Sequence, residues 1–189
     1  MNSLAVSDII NAWTIEIVTK ALGLEDLRTG RHARRDERGL RVDTLIVEKL
    51  WLAEIRPAFM NPACLAFFLT DKQQFAVFAI KEEPAARLFG PIEGDWIRPI
   101  ARVMQHLDVW SANGGISLDG ISYSLFTETR DAQFALCFTT PHVDSLKNLE
   151  EILLRLAERV SASDTTNTAS DYVNKWMAYT TLEHSLNTS

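Results

Sequence analysis

The side chains that come nearest to a catalytic spacing are Asp119 and the triplet Glu128-Thr129-Arg130. An acid on one strand and an acid-x-base on the next can hold a divalent cation, and the cation activates water, as in metal-dependent nucleases. Each residue also has a plainer role. Asp119 precedes Gly120, and an Asp-Gly pair is itself a tight-turn signal. Glu128 falls in the next turn, and no third carboxylate has a place beside the two. Cys137 and His142 can be drawn as a thiol–imidazole pair, because a base beside a thiol makes a nucleophile. Cys137, however, alternates with Phe134, Leu136 and Phe138, the pattern of a packed strand. His32, His106, His142 and His184 are scattered, whereas a metal site needs three or four converging ligands. Glu82-Glu83 and Glu93/Asp95 read as loop charges and a helix-start anion. The G-x-x-x-x-G-K-[ST] phosphate loop, G-x-G-x-x-G, G-x-S-x-G, H-E-x-x-H and C-x-x-C are all absent. The sequence therefore predicts no catalytic residue, no metal, no cofactor and no enzyme; a metal-dependent hydrolase or nuclease is the weakest alternative.

Binding surfaces are better marked. Residues 28–41 hold six of the thirteen arginines, Arg28, Arg31, Arg34, Arg35, Arg38 and Arg41, against Asp36 and Glu37. That segment carries +4, so the remaining chain carries −10 behind a net charge of −6. Clustered guanidinium groups suit nucleic-acid phosphate, an acidic protein partner or the chain's own acids. The acidic remainder and the lack of interleaved aromatics rank a nucleic-acid accessory role behind a protein partner. Tyr172, Trp176 and Tyr179 recur at i, i+4 and i+7 near the C-terminus, a stripe that a soluble chain rarely leaves uncovered. It can fold back on its own domain, cross to a second subunit or enter a partner's groove.

These groups must be positioned by the elements that the apolar pattern predicts. Leu4 to Leu22 has apolar residues at helical spacing, with Gly23 where a C-terminal cap falls. Leu24 to Arg41 lacks periodicity and reads as a surface loop or short helical turn. Asp43 can cap a second helix ending near Arg56, before Pro57, although the alternation Val42, Thr44, Ile46 would suit a strand. Cys64–Thr70 and Gln74–Lys81 read as a hairpin whose two faces are both apolar, and hence covered on both sides or set at a subunit contact. Pro84 to Asp95 reads as irregular, with a short helical turn at Ala85–Phe89. Ile100, Val103, Met104 and Leu107 mark the buried face of a helix starting near Pro99. Ile116–Leu118, Asp119-Gly120 and Ile121–Leu125 form a hairpin, and a turn at Glu128–Asp131 leads to Phe134–Phe138, making a three-stranded meander. Asp144 or Ser145 caps a helix with a stripe of Leu146, Leu149, Ile152, Leu153, Leu156 and Val160. Six of the ten residues from Ser161 to Ser170 are Ser or Thr, a flexible linker to a last helix, Asp171 to Asn187.

Runs of strands joined by tight turns make an antiparallel sheet of about five strands with helices packed on it, the α+β class. The domain organisation is one α+β domain over 1–160, a linker over 161–170 and an amphipathic helix over 171–189. At 189 residues and 47% hydrophobic, the chain is long enough for one ordinary core. Its longest charge-free stretch, Pro57 to Thr70, is 14 residues with two prolines, short of the roughly 20 that a membrane span needs. Asp8 interrupts any N-terminal leader, and Cys64 and Cys137 are too few for a disulfide framework. A cytoplasmic setting and no membrane contact follow as expectations.

The helix–strands–helix–strands–helix order resembles, over roughly Phe59–Val160 and in element order only, the layout of class I type III secretion chaperones. The resemblance implies an acidic homodimer that binds another protein. The predicted function is non-catalytic protein binding, in the manner of a toxin-neutralising immunity protein or a secretion-chaperone-like adaptor. The expected partner-binding residues are the six arginines of 28–41 with Tyr172, Trp176 and Tyr179. A homodimer is a second expected association, and nucleic acid ranks behind protein.

Overall fold

The computed structural model describes residues 5–36, 38–107, 120–141 and 143–186. After a short 3-10 turn at Val6–Asp8 come α1 (Ala12–Leu22), β1 (Gly30–Arg35), β2 (Arg41–Pro57), β3 (Ala63–Thr70), β4 (Gln74–Ile80) and β5 (Glu83–Pro91). Then follow α2 (Ile97–Gln105), β6 (Ile121–Thr129), β7 (Gln133–Thr139), α3 (Asp144–Ser161) and α4 (Thr168–Leu186). All pairings are antiparallel. The strands form one sheet in the order β5-β4-β3-β2-β6-β7, and β1 pairs with the first part of β2. This is the α+β architecture expected, with the C-terminal helix in place.

β2 is the largest departure from expectation, because the segment read as a helix over Asp43–Arg56 is a 17-residue strand. Its second half lies between β3 and β6, so Leu50, Trp51, Leu52, Ala53 and Ile55 are all buried. A strand covered on both faces reads as a continuous apolar run, which periodicity alone does not separate from a buried helix. The β-branched alternation Val42, Thr44, Ile46 carried the correct signal. The loop read over Leu24–Arg41 contains β1, which has one aliphatic side chain (Ala33) and is a strand because β2 pairs with it. Where a helical turn was expected at Ala85–Phe89, the chain forms β5 (Glu83–Pro91). Pro84 and Pro91 are tolerated there because β5 is the edge of the sheet, where a missing N–H breaks no ladder.

Alternate residues of the strands face two cores. Trp51, Ala53, Ile55, Leu65, Phe78, Tyr123 and Leu125 meet α3 and α4, with α2 packed beside them. The expected stripe of α3, Leu146, Leu149, Ile152, Leu153, Leu156 and Val160, is buried throughout. Each such side chain contributes about 2 kcal/mol of transfer free energy, before the entropy of ordering it. On the other face Leu50, Leu52, Ala66, Phe68, Val77 and Phe126 meet Val18 and Leu22 of α1. Gly23 ends α1 with φ 68°, and a Cβ there would lie 2.7 Å from the Arg35 carbonyl oxygen. Arg35 N donates to Gly23 O at 2.9 Å, so this glycine docks the helix end directly on β1.

The Ser/Thr-rich run read as a linker is divided between the end of α3, a turn over 162–167 and the first turn of α4. Asp164 organises that turn, accepting from Thr166 N, Thr166 Oγ1 and Ala169 N at 2.7–2.8 Å. Ile116–Leu118, read as the first arm of a hairpin, lies outside the described residues. Both edges of β6 are taken, one by β2 and the other by β7.

Candidate functional site

The arginines converge on an arm built by β1 and the start of β2. Pairing runs from Gly30 opposite Val47 to Arg35 opposite Arg41, whereas β3 stops at Thr70, opposite Val47. On the side away from β1, Arg41–Leu45 therefore pairs with no strand among the described residues. A register shift between Val47 and Lys49 fixes which side chains turn outward. Leu45 and Val47 enter the α1 core, while Val42 and Ile46 on the opposite face are 66% and 39% exposed. At the tip, Asp36 accepts from Arg38 N and Leu40 N at 2.8–2.9 Å, and Gly39 adopts φ 76°. The turn so formed presents Leu40, 63% exposed, beside Arg38. At the base, buried His32 has Nε2 2.8 Å from the Arg28 carbonyl and Nδ1 3.3 Å from the Asp26 carboxylate.

The six arginines divide into two groups. Arg28 pairs with Asp26 at 2.9 Å and Arg35 with Glu25 at 2.6 Å. Arg34 donates to Leu22 O at 2.9 Å and faces Asp43 at 3.5 Å, and Arg41 donates to Thr44 Oγ1 at 2.7 Å. These exposed or half-exposed contacts hold the arm's shape more than its stability, since surface pairs contribute about 0–1 kcal/mol. Arg31 and Arg38 are exposed and have no side-chain partner among the described residues. The outward surface of the arm thus combines Arg31, Arg38 and Arg41 with Leu40, Val42 and Ile46.

The C-terminal aromatics lie elsewhere. Trp176 is fully buried, and its Nε1 donates to Tyr123 Oη at 3.0 Å; that hydroxyl in turn donates to buried Glu150. Burial, with the Glu150 charge behind it, pushes the Tyr123 pKa well above the ordinary phenol value. Tyr172 donates to the Asn61 carbonyl at 2.9 Å and meets Phe78 edge-on, and half-buried Tyr179 packs on Phe59 at 4.5 Å. The stripe expected to engage a partner packs in this structure on the protein's own core, because it covers β4 and β6 beside α3.

Of the residues considered for catalysis, the structure describes Glu128, Thr129, Arg130 and Cys137. Asp119 and His142 lie outside the described residues. Glu128 accepts from the Thr29 hydroxyl at 3.2 Å, and Arg130 is exposed. Among the described residues, no three His, Cys, Asp or Glu side chains are placed to hold a metal. Cys64 and Cys137 lie in one row across the sheet, separated by Glu54 of β2 and Ser124 of β6, too far apart to bridge.

Glu54 itself was hidden inside the expected helix. Only 2% exposed, it accepts from Asn11 N, Asn11 Nδ2 and Thr14 Oγ1, each at 2.7 Å, and pairs with Arg56 at 3.2 Å. Asn11 is the N-cap residue of α1 and its own side chain makes no cap bond. The carboxylate of β2 thus serves the helix terminus, where a negative charge is favoured. Burial first, and the Glu54 charge second, push the Cys64 thiol up to about 12, so it packs as an inert thiol. Between α2 and α3 a recess of about 630 Å³ is lined by Arg98, Arg102, His106 and Arg155. Two of those charges are already met, by Asp95 at 2.9 Å and by Glu151.

What fold and surface define together is an α+β protein with an open antiparallel sheet and a basic, partly apolar arm. Comparison with known proteins adds no relative: no family model matches the chain, and no curated protein or solved structure is similar to it.

Proposed function

We propose that this protein is a non-catalytic, cytoplasmic protein-binding protein, an inhibitor or adaptor in the manner of an immunity protein or a secretion chaperone, and that the β1–β2 arm is where it docks. The observation that carries this is the arm's outward surface. A strand edge at Arg41–Leu45, unpaired among the described residues, stands beside exposed Leu40, Val42 and Ile46 and the cations Arg31, Arg38 and Arg41. An extended, acidic segment of another protein fits it, adding a strand through main-chain hydrogen bonds while its carboxylates meet the guanidinium groups.

The test starts from the protein that co-purifies with this chain in its native host, followed by calorimetry on the purified pair. Arg31→Glu/Arg38→Glu should raise the dissociation constant about tenfold or more, because rim charges reverse sign against an acidic partner. An unchanged constant would remove the arm from the interface. Retention on nucleic acid that collapses with rising salt and with the same substitutions would move the reading to the nucleic-acid alternative.

A further inference from the structure

The two outer strands of the sheet are built to opposite rules. β5 carries Glu83, Pro84, Arg87, Gly90 and Pro91, and its pairing with β4 is interrupted by a register shift. Charges, prolines and bulges are the devices that keep a sheet edge from pairing with a stranger. β7, Gln133-Phe134-Ala135-Leu136-Cys137-Phe138-Thr139, has none of them. It holds no charge, no proline and no glycine, and among the described residues the one strand it pairs with, in unbroken register, is β6. Its Phe134, Leu136 and Phe138 are only half-buried and Cys137 is exposed. Phe138 stacks on Tyr123 at 4.7 Å, which fixes these three side chains on the helix-covered face.

The residue order of β7 is also symmetric in chemistry about its centre. Polar ends, Gln133 and Thr139, enclose two phenylalanines, then two small residues, Ala135 and Cys137, then Leu136 alone. A two-fold interface requires one patch to be complementary to itself, and an antiparallel pair reads the same residues in reverse. We propose that β7 is a self-pairing edge on which a second copy of this chain adds its own β7, antiparallel and centred on Leu136. Phe134 then faces Phe138 of the second copy, Ala135 faces Cys137 and Leu136 faces Leu136, so both sheets continue into one. The axis runs perpendicular to the sheet, which keeps each copy's helices on the same side. The pairing leaves both arms open, since β7 and the arm share no residue.

Sedimentation equilibrium over a concentration series reads the result directly, with a dimer at twice the 21.3 kDa protomer mass. Ala135→Lys/Cys137→Lys changes side chains on the less covered face and sets like charges opposite one another. It should raise the dimer dissociation constant at least about tenfold, and Ala135→Glu/Cys137→Glu should do the same. Mixing the two variants should restore a dimer, a rescue that misfolding would not produce. A wild-type chain that stays monomeric at its highest soluble concentration overturns the proposal, as does a dimer that survives both charge variants. A monomer whose β7 amides gain exchange protection only with a foreign partner would give the edge to that partner and overturn it too. Arm substitutions should leave the dimer intact, so the two readings fail separately.

Discussion

Among the described residues each face of the sheet buries one carboxylate, and the two are handled differently. On the face covered by α3 and α4, helices of 18 and 19 residues, Glu150 receives the Tyr123 hydroxyl, itself held by Trp176. On the other face the only long cover among the described residues is α1, 11 residues, and Glu54 receives three 2.7 Å donors from its first turn with Arg56 behind. Where two long amphipathic helices supply apolar area, the polar group is an accessory at the bottom of a packed core. Where one short helix supplies little, a charge anchors its end. An isolated helix of that length is marginal in water, so tertiary contacts must hold it.

The comparison can be tested from its strongest side downward. Trp176→Ala should cost about 4 kcal/mol in denaturant unfolding, the range for emptying a large buried aromatic site. A loss below about 1 kcal/mol would mean that α4 contributes little to the core beneath it. Glu54→Ala should cost about 3 kcal/mol, because the Arg56 guanidinium and three further donors lose their acceptor. Hydrogen exchange should then accelerate in α1 and leave α3 protected. Equal acceleration on both faces would break the distinction between a local anchor and a shared core.

A smaller effect is expected in alkali. Folding holds the Cys64 thiol protonated, so its contribution is complete below the ordinary pKa of 9.0 and is lost as pH rises toward about 12. Tyr123 shifts in the same direction on the opposite face. Cys64→Ala should therefore flatten the fall of stability above pH 9.0 without abolishing it; an unchanged slope would assign the whole effect to the helix-covered face. The arm variant Arg31→Glu/Arg38→Glu belongs at the far end of the scale, within about 0.5 kcal/mol of the parent in stability, since neither side chain touches either core.

Elements with their own amphipathic or apolar signal are legible in the amino-acid sequence. The α3 stripe, the doubly apolar β3–β4 hairpin and the alternation over Phe134–Phe138 each match the faces they bury. β1 does not: Arg-His-Ala-Arg-Arg becomes a strand because Val42–Ile46 lies alongside, a pairing across the chain rather than a property of the segment. β2 carries too much signal of one kind, since a strand buried on both faces loses its alternation. Glu54 is illegible for the same reason, its value depending on Asn11 and Thr14, some 40 residues away in sequence. The arginine cluster is visible as composition. Which of its members are spent on Asp26, Glu25 and Asp43 is not.

Composition and period by themselves determined the α+β class, the polarised charge and an aromatic last helix, because hydrophobic patterning and charge counts are local quantities. Strand order, the inward fate of Trp176, the anchor at Glu54 and the contrast between a guarded edge at β5 and a β7 that pairs, among the described strands, with β6 alone were decided only by the tertiary structure. Each depends on which distant segment lies alongside, and pairing across a sheet is a contact between residues far apart in the chain.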